Sequence, residues 1–105
     1  MSRLFVVVYS TAEDEEEAKR IARKLVEEDL AACVNLWPIR SVYEWGGELC
    51  EDEEYALLVK TTAERAEEVV ERIVELHSYE TPAVLVLPVL GGFEGFLEWI
   101  REQTR

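Results

Sequence analysis

Two cysteines, one histidine and the terminal Met1 are the whole supply of soft or borderline metal ligands in this 105-residue sequence. A copper or zinc site with thiolate or imidazole character must therefore draw on Cys33, Cys50 or His77 if it does not use Met1. Their spacing matches no metal-binding motif. Cys33 lies between Ala32 and Val34, the setting of a small buried apolar residue, whereas Cys50 precedes Glu51 and Asp52, whose charges disfavour its thiolate. Glu51 to Glu54 form an unbroken acidic run, but no glycine-punctuated loop arranges it around a hard cation, and a solvated face is the plainer reading. A Cys–His nucleophile would need one of the two thiols beside the single His77. The segment Tyr9-Ser10-Thr11-Ala12-Glu13-Asp14 contains neither glycine nor arginine to cradle a phosphate.

Whole-chain composition narrows the partners. Twenty-three acidic against 11 basic side chains give a formal net charge of -12, which repels phosphate backbones and anionic lipid surfaces and attracts cations. Nucleic acid and membrane are therefore not expected as partners. No charged-then-apolar leader is evident, and no apolar run approaches the ~18 residues of a membrane span. Two unpaired thiols then suit a reducing cytoplasmic setting. Asn35 is the only asparagine and Gln103 the only glutamine, a composition expected of a thermostable protein. The length suits one domain over residues 1–105.

The elements that must position these side chains follow from periodicity. Leu4 to Tyr9 is a β-branched apolar run suited to a buried strand. Ser10, Thr11 or Asp14 can cap the helix that follows, Glu13 to Glu17 load its first turn, and Ala18, Ile21, Ala22, Leu25 and Val26 form its apolar stripe. Ala32 to Leu36 is a second strand, interrupted at Pro38 and resumed from Ser41 to Trp45, where Gly46-Gly47 closes a hairpin onto a third strand from Glu48 towards Thr61. Thr61 and Glu64 are placed to form a capping box for a second helix, buried through Ala66, Val69, Val70, Ile73 and Leu76 and ending near His77. Val84 to Leu90 is a fourth strand, and Phe93, Phe96, Leu97 and Ile100 mark a short amphipathic helix after Gly91-Gly92. The order β-α-β-β-α-β with an added C-terminal helix predicts an α+β, ferredoxin-like split βαβ sandwich, an antiparallel sheet with helices on one face.

That arrangement fixes where the chemistry falls. If Trp45 pairs with Glu48 across the turn, Cys50 faces Tyr43 and Cys33 falls near Lys60, about 30 Å along the strand, too far for one ion within a subunit. His77, at the end of a helix that runs back from Thr62, lies at about the level of Glu53 or Glu54, away from Cys33. A strand of roughly 45 Å also outruns a first helix of about 25 Å, so the hairpin projects and carries Trp37, Tyr43, Trp45 and Tyr55 to where one subunit has little left to bury them. Oligomerisation is expected.

Several segments carry a resemblance. Ala31-Ala32-Cys33-Val34-Asn35, Ser41-Val42-Tyr43-Glu44-Trp45 with Gly47, Lys60-Thr61, His77-Ser78-Tyr79-Glu80-Thr81-Pro82, Leu87-Pro88-Val89 and Leu97-Glu98-Trp99 together resemble the CutA divalent-cation tolerance family, in order and over nearly the whole chain. The resemblance implies a homotrimer of ferredoxin-like subunits, a role in tolerance to copper and other divalent metals, no obligatory cofactor and no catalytic residues. Some members' proposed ligands, a cysteine before the first helix and adjacent histidines, correspond here to Ser10 and Leu76-His77, which leaves His77, assisted by carboxylates such as Glu80 or a neighbouring subunit's acids. Lys60, Tyr79 and Glu80 match recurring family segments and are expected to line a ligand pocket that Trp45 closes from the hairpin. Ala83 stands where many members carry glutamate and Phe96 where tyrosine is common, so this pocket has fewer polar groups than the family pattern. A small cytoplasmic enzyme with an intersubunit active site, or a scaffold for a protein partner, are the alternative readings.

Overall fold

In the computed structural model, which describes residues 4–105, the chain runs β1 (Phe5–Ala12), α1 (Glu15–Glu27), β2 (Cys33–Trp45), β3 (Glu48–Thr62), α2 (Ala66–Leu76), β4 (Val84–Val89) and α3 (Glu94–Gln103). Met1 lies outside the described residues. The sheet order is β2-β3-β1-β4 and every neighbouring pair is antiparallel, which is the ferredoxin-like topology. Among the described residues no helix is long and apolar enough to cross a membrane.

Local chemistry accounts for the boundaries. Of the candidate caps before α1, Asp14 is the one used, its carboxylate accepting from the Glu17 N–H at 2.9 Å. Ser10 and Thr11 instead extend β1, pairing with Leu57 and Ala56 of β3. At the other end of α1 the Leu30 N–H reaches the Leu25 carbonyl at 2.9 Å and the Asp29 N–H reaches that of Val26 at 3.1 Å, a Schellman closure that holds Asp29 at a φ of 61°. Pro38 does not interrupt β2. It pairs opposite Tyr55 without a break, because β2 is an edge strand of this sheet, where a missing N–H can face outward. The hairpin turn has Gly46 at φ 61° and Gly47 at 82°, the two left-handed residues that a two-residue turn needs to match strand twist.

Two further expectations are corrected. Thr61 does not cap α2: it is buried at the end of β3 and donates its hydroxyl to the Leu30 carbonyl at 2.7 Å, while a 3-10 turn at Ala63–Arg65 leads into the helix. The helices also do not share one face. α1 and α2 cover the face bearing Val6, Val8, Leu57 and Val59, whereas α3 packs through Leu97 and Ile100 on Phe5 and Val89, on the opposite face by strand alternation. The second face is therefore covered only at one end. Tyr9, Leu58, Leu85, Leu87 and Trp37 belong to its remainder by cross-strand register.

The hairpin outruns the rest of the sheet as its length requires. β1 pairing stops where Ala12 meets Tyr55, so Glu48 to Glu54 have only β2 beside them, and the molecule is 45 Å long against 25 and 21 Å across.

Candidate functional site

A cleft of about 430 Å³ opens at the root of the projecting hairpin, where the end of β1 meets the segment joining α2 to β4. Tyr43, Trp45 and Cys50 line it from the hairpin, Glu54 from β3, and Tyr79, Glu80, Thr81 and Ala83 from the joining segment, with Thr11 between them. Side-chain alternation dictates the hairpin's contribution. Tyr43 pairs with Cys50 and Trp45 with Glu48, two rungs apart, so their side chains share a face.

The joining segment is tied down at its two ends, through His77, Ser78 and Tyr79 and again at Ala83. Glu17, 7% exposed at the start of α1, accepts from the Ser78 N–H at 2.7 Å and from the Glu13 N–H at 2.9 Å. Burial works to raise its carboxyl, but the hydrogen bonds from Glu13 and Ser78, with His77 nearby, outweigh it and hold the group below the ordinary value of 4.5. Arg20 donates to the Leu76 carbonyl at 3.0 Å, and the Ser10 hydroxyl donates to that of Ala83 at 2.7 Å. Tyr79 then donates its hydroxyl to one oxygen of Glu54 at 2.7 Å, while Ser41 donates to the other at 2.6 Å. Burial, followed by that contact with Glu54, pushes the Tyr79 phenol up. The Tyr43 phenol, hydrogen-bonded to Asp52, is pushed up to about 12.

His77 is held as firmly. Its side chain is fully shielded, with Nε2 2.6 Å from the Thr11 carbonyl and Nδ1 accepting the Tyr79 N–H at 3.1 Å. That pattern assigns the proton to Nε2 and leaves no lone pair free. A metal at Nδ1 must first break the bond to Tyr79, and a base role in a Cys–His pair carries the same requirement. Among the described residues no group of three or more His, Cys, Asp or Glu side chains is arranged to hold a metal.

The expected site residues thus separate. Trp45, Tyr79 and Glu80 come together in the cleft, and His77 stands behind it with its ring against Tyr79, centroids 4.7 Å apart. Lys60 does not join them in one chain. It pairs with Cys33 and Val7, donates to Asn35 and lies 3.9 Å from the Cys33 sulfur, six residues or about 20 Å along β3 from Glu54. The two thiols lie at opposite ends of the hairpin ladder, Cys33 opposite Lys60 and Cys50 opposite Tyr43.

Glu17 and Glu54 were not singled out in the sequence as members of the site. For Glu17 a signal exists: it stands at i, i+4 and i+8 with Ile21 and Leu25, on the apolar stripe, and an acid in that phase must find buried donors. For Glu54, one acid in a run of four, nothing local distinguishes it from Glu53.

The profile of the family described as CutA1 divalent ion tolerance protein matches residues 6–103. A Thermus thermophilus relative called divalent-cation tolerance protein CutA is 48% identical over 93% of this chain and 96% of its own length. One of the same name from Thermotoga maritima is 45% identical over 94% and 98%. The solved structure of a protein described as the periplasmic divalent cation tolerance protein CutA from Archaeoglobus fulgidus superposes with a TM-score of 0.95 at 41% identity, covering 97% of this chain and all of that one.

Proposed function

Because this chain belongs to the CutA1 divalent ion tolerance family, we propose that it is a non-enzymatic, homotrimeric divalent-cation tolerance protein that holds a metal ion or small ligand at the hairpin-root cleft, where subunits meet. The convergence of Trp45, Tyr79 and Glu80 from separate segments on one concave site carries this reading. Lys60, remote within one chain, enters such a pocket only from a neighbouring subunit. The unpaired Cys33 and Cys50 suit a cytoplasmic location, where thiols stay reduced.

For copper, Glu80 supplies the accessible carboxylate, and His77 joins it only by releasing the Tyr79 N–H from Nδ1. Copper binding is thereby coupled to loosening of the segment from Ser78 to Glu80. Calorimetric titration of copper(II) into wild type, Glu80→Gln and His77→Ala, with assembly checked first, tests this. Each substitution should lower the affinity severalfold, and wild-type amide signals of Ser78 to Glu80 should move on titration. Unchanged affinity in both variants, in intact assemblies, removes the site.

A further inference from the structure

We propose that Glu54 is a latch: it fastens the segment bearing His77 and Glu80 to the hairpin ladder and so limits how readily His77 is given up to a ligand. The latch presupposes the reading of this cleft as the ligand site, whose regulation it supplies.

The anchor belongs to the sheet. Glu54 stands opposite Ile39 in the β2–β3 ladder, and Ser41 lies two residues further along β2, so the two side chains are diagonal neighbours on one sheet face. Ser41 donates to one carboxylate oxygen at 2.6 Å and Tyr79 to the other at 2.7 Å. The first bond stays within the ladder, whereas the second crosses to a segment that no strand or helix supports. There the N–H groups of Ser78 and Tyr79 are taken by side chains, Glu17 at 2.7 Å and His77 at 3.1 Å. Each of these bonds joins atoms of one chain, so the latch needs nothing from a neighbouring subunit.

Tyr79 couples the anchor to the imidazole. Its N–H closes His77 Nδ1, its ring lies against that of His77 with centroids 4.7 Å apart, and its hydroxyl ends on Glu54. Nε2 is occupied by the Thr11 carbonyl at 2.6 Å, so Nδ1 is the nitrogen that must open. Withdrawing the Tyr79 N–H displaces the very residue whose hydroxyl Glu54 clamps, and opening therefore works against both bonds. A hydroxyl on a carboxylate makes a charge-assisted bond, stronger than a neutral one. The bond lowers the fraction of chains in which Nδ1 is open, and a ligand that needs the open form binds more weakly by that fraction. Cutting the latch should raise affinity, the reverse of what damage to the fold would do.

The test joins two measurements on the assembled protein at pH 7: amide hydrogen exchange without any added ligand, and calorimetric titration with copper(II) chloride. Tyr79→Phe removes only the hydroxyl on Glu54 and should accelerate exchange of the amide at residue 79 about tenfold, the size of one net hydrogen bond to a charged group. Ser41→Ala frees the other oxygen and should accelerate it less, while the Val8 amide in the core of the sheet keeps its protection in both variants. Copper(II) affinity should rise in each variant by the same factor as exchange at residue 79, because one opening equilibrium governs both. Tyr79→Phe added to His77→Ala should bind no better than His77→Ala alone. Unchanged exchange at residue 79 in both variants overturns the latch, as does an affinity that falls or stays level while that exchange accelerates. If copper(II) binding is indifferent to Glu80→Gln and His77→Ala, the site itself is wrong, and the latch governs no binding whatever the exchange rates.

Discussion

Glu17 connects the helical layer to the segment that walls the cleft without itself lining it. Its two oxygens take the N–H groups of Glu13 and Ser78, so Glu17→Ala leaves both without their acceptor, at about 1 kcal/mol for each part-buried hydrogen bond lost. The denaturation midpoint should fall accordingly. Glu15→Ala, which removes only an exposed pair with Lys19, should shift it by less than about 1 kcal/mol. If the two variants are equally stable, Glu17 does not tie the segment down. The pH dependence has a definite sign. The folded-state carboxyl is held below 4.5, so its contribution is complete above that value and is lost as pH falls through the lowered one. The stability gap between wild type and Glu17→Gln should therefore close below pH 4.5. At the alkaline end, Tyr79→Phe should delete from the ultraviolet titration a phenol that ionises above the ordinary value of 10.

The end of α1 is the least comfortable element. Asp29 occupies a left-handed position that glycine fills without strain, and it sets a carboxylate beside the negative end of the helix. Asp29→Gly should raise stability by about 0.5–1 kcal/mol, read as a higher guanidinium midpoint with unchanged slope. A lower midpoint would mean that the carboxylate makes a compensating contact. This strained turn was not visible in the sequence, because Glu27-Glu28-Asp29 reads as one polar run. The hairpin was visible: Gly46-Gly47 admits few other turns, and fixing Trp45 opposite Glu48 fixes every rung to Cys33 and Lys60. Where expectation and structure part, a tertiary contact outweighed a local preference. Thr61 gives its hydroxyl to Leu30 instead of a helix cap, and α3 crosses to the second face because Phe5 and Val89 offer it an apolar seat. The cleft was legible as far as Trp45, Tyr79 and Glu80, which flank clear element boundaries. Lys60 lies apart from these three within one chain, because its family segment specifies a residue type and not the distance along β3.

At the scale of the whole molecule, one chain leaves much of its second sheet face open. Leu85 is 60% exposed, Leu87 43% and, at the start of α3, Phe93 80%, a concentration of apolar surface that a soluble chain seldom leaves uncovered. The net charge of -12 opposes any association, so in the proposed trimer the apolar contact would have to outweigh that repulsion, with ion pairs across subunits helping to offset it. Assembly of this kind, with the charge-rich composition, should keep the protein folded above the ordinary mesophilic melting range of about 45–65 °C, with a midpoint that rises with protein concentration. A concentration-independent midpoint within that range would count against both causes. The decisive measurement is mass in solution. Light scattering at micromolar concentration should give three times the chain mass of 12.1 kDa. Leu85→Glu with Leu87→Glu places two further acids on the open face, and the mass should fall towards that of one chain with the far-ultraviolet spectrum retained, since neither side chain belongs to the core under α1 and α2. Val42→Glu, on the opposite side of the projecting hairpin by alternation with Tyr43, separates the two surfaces. If it alone dissociates the assembly, subunits meet through the hairpin tip. If the double variant remains a trimer, the open face of the sheet is not where they join.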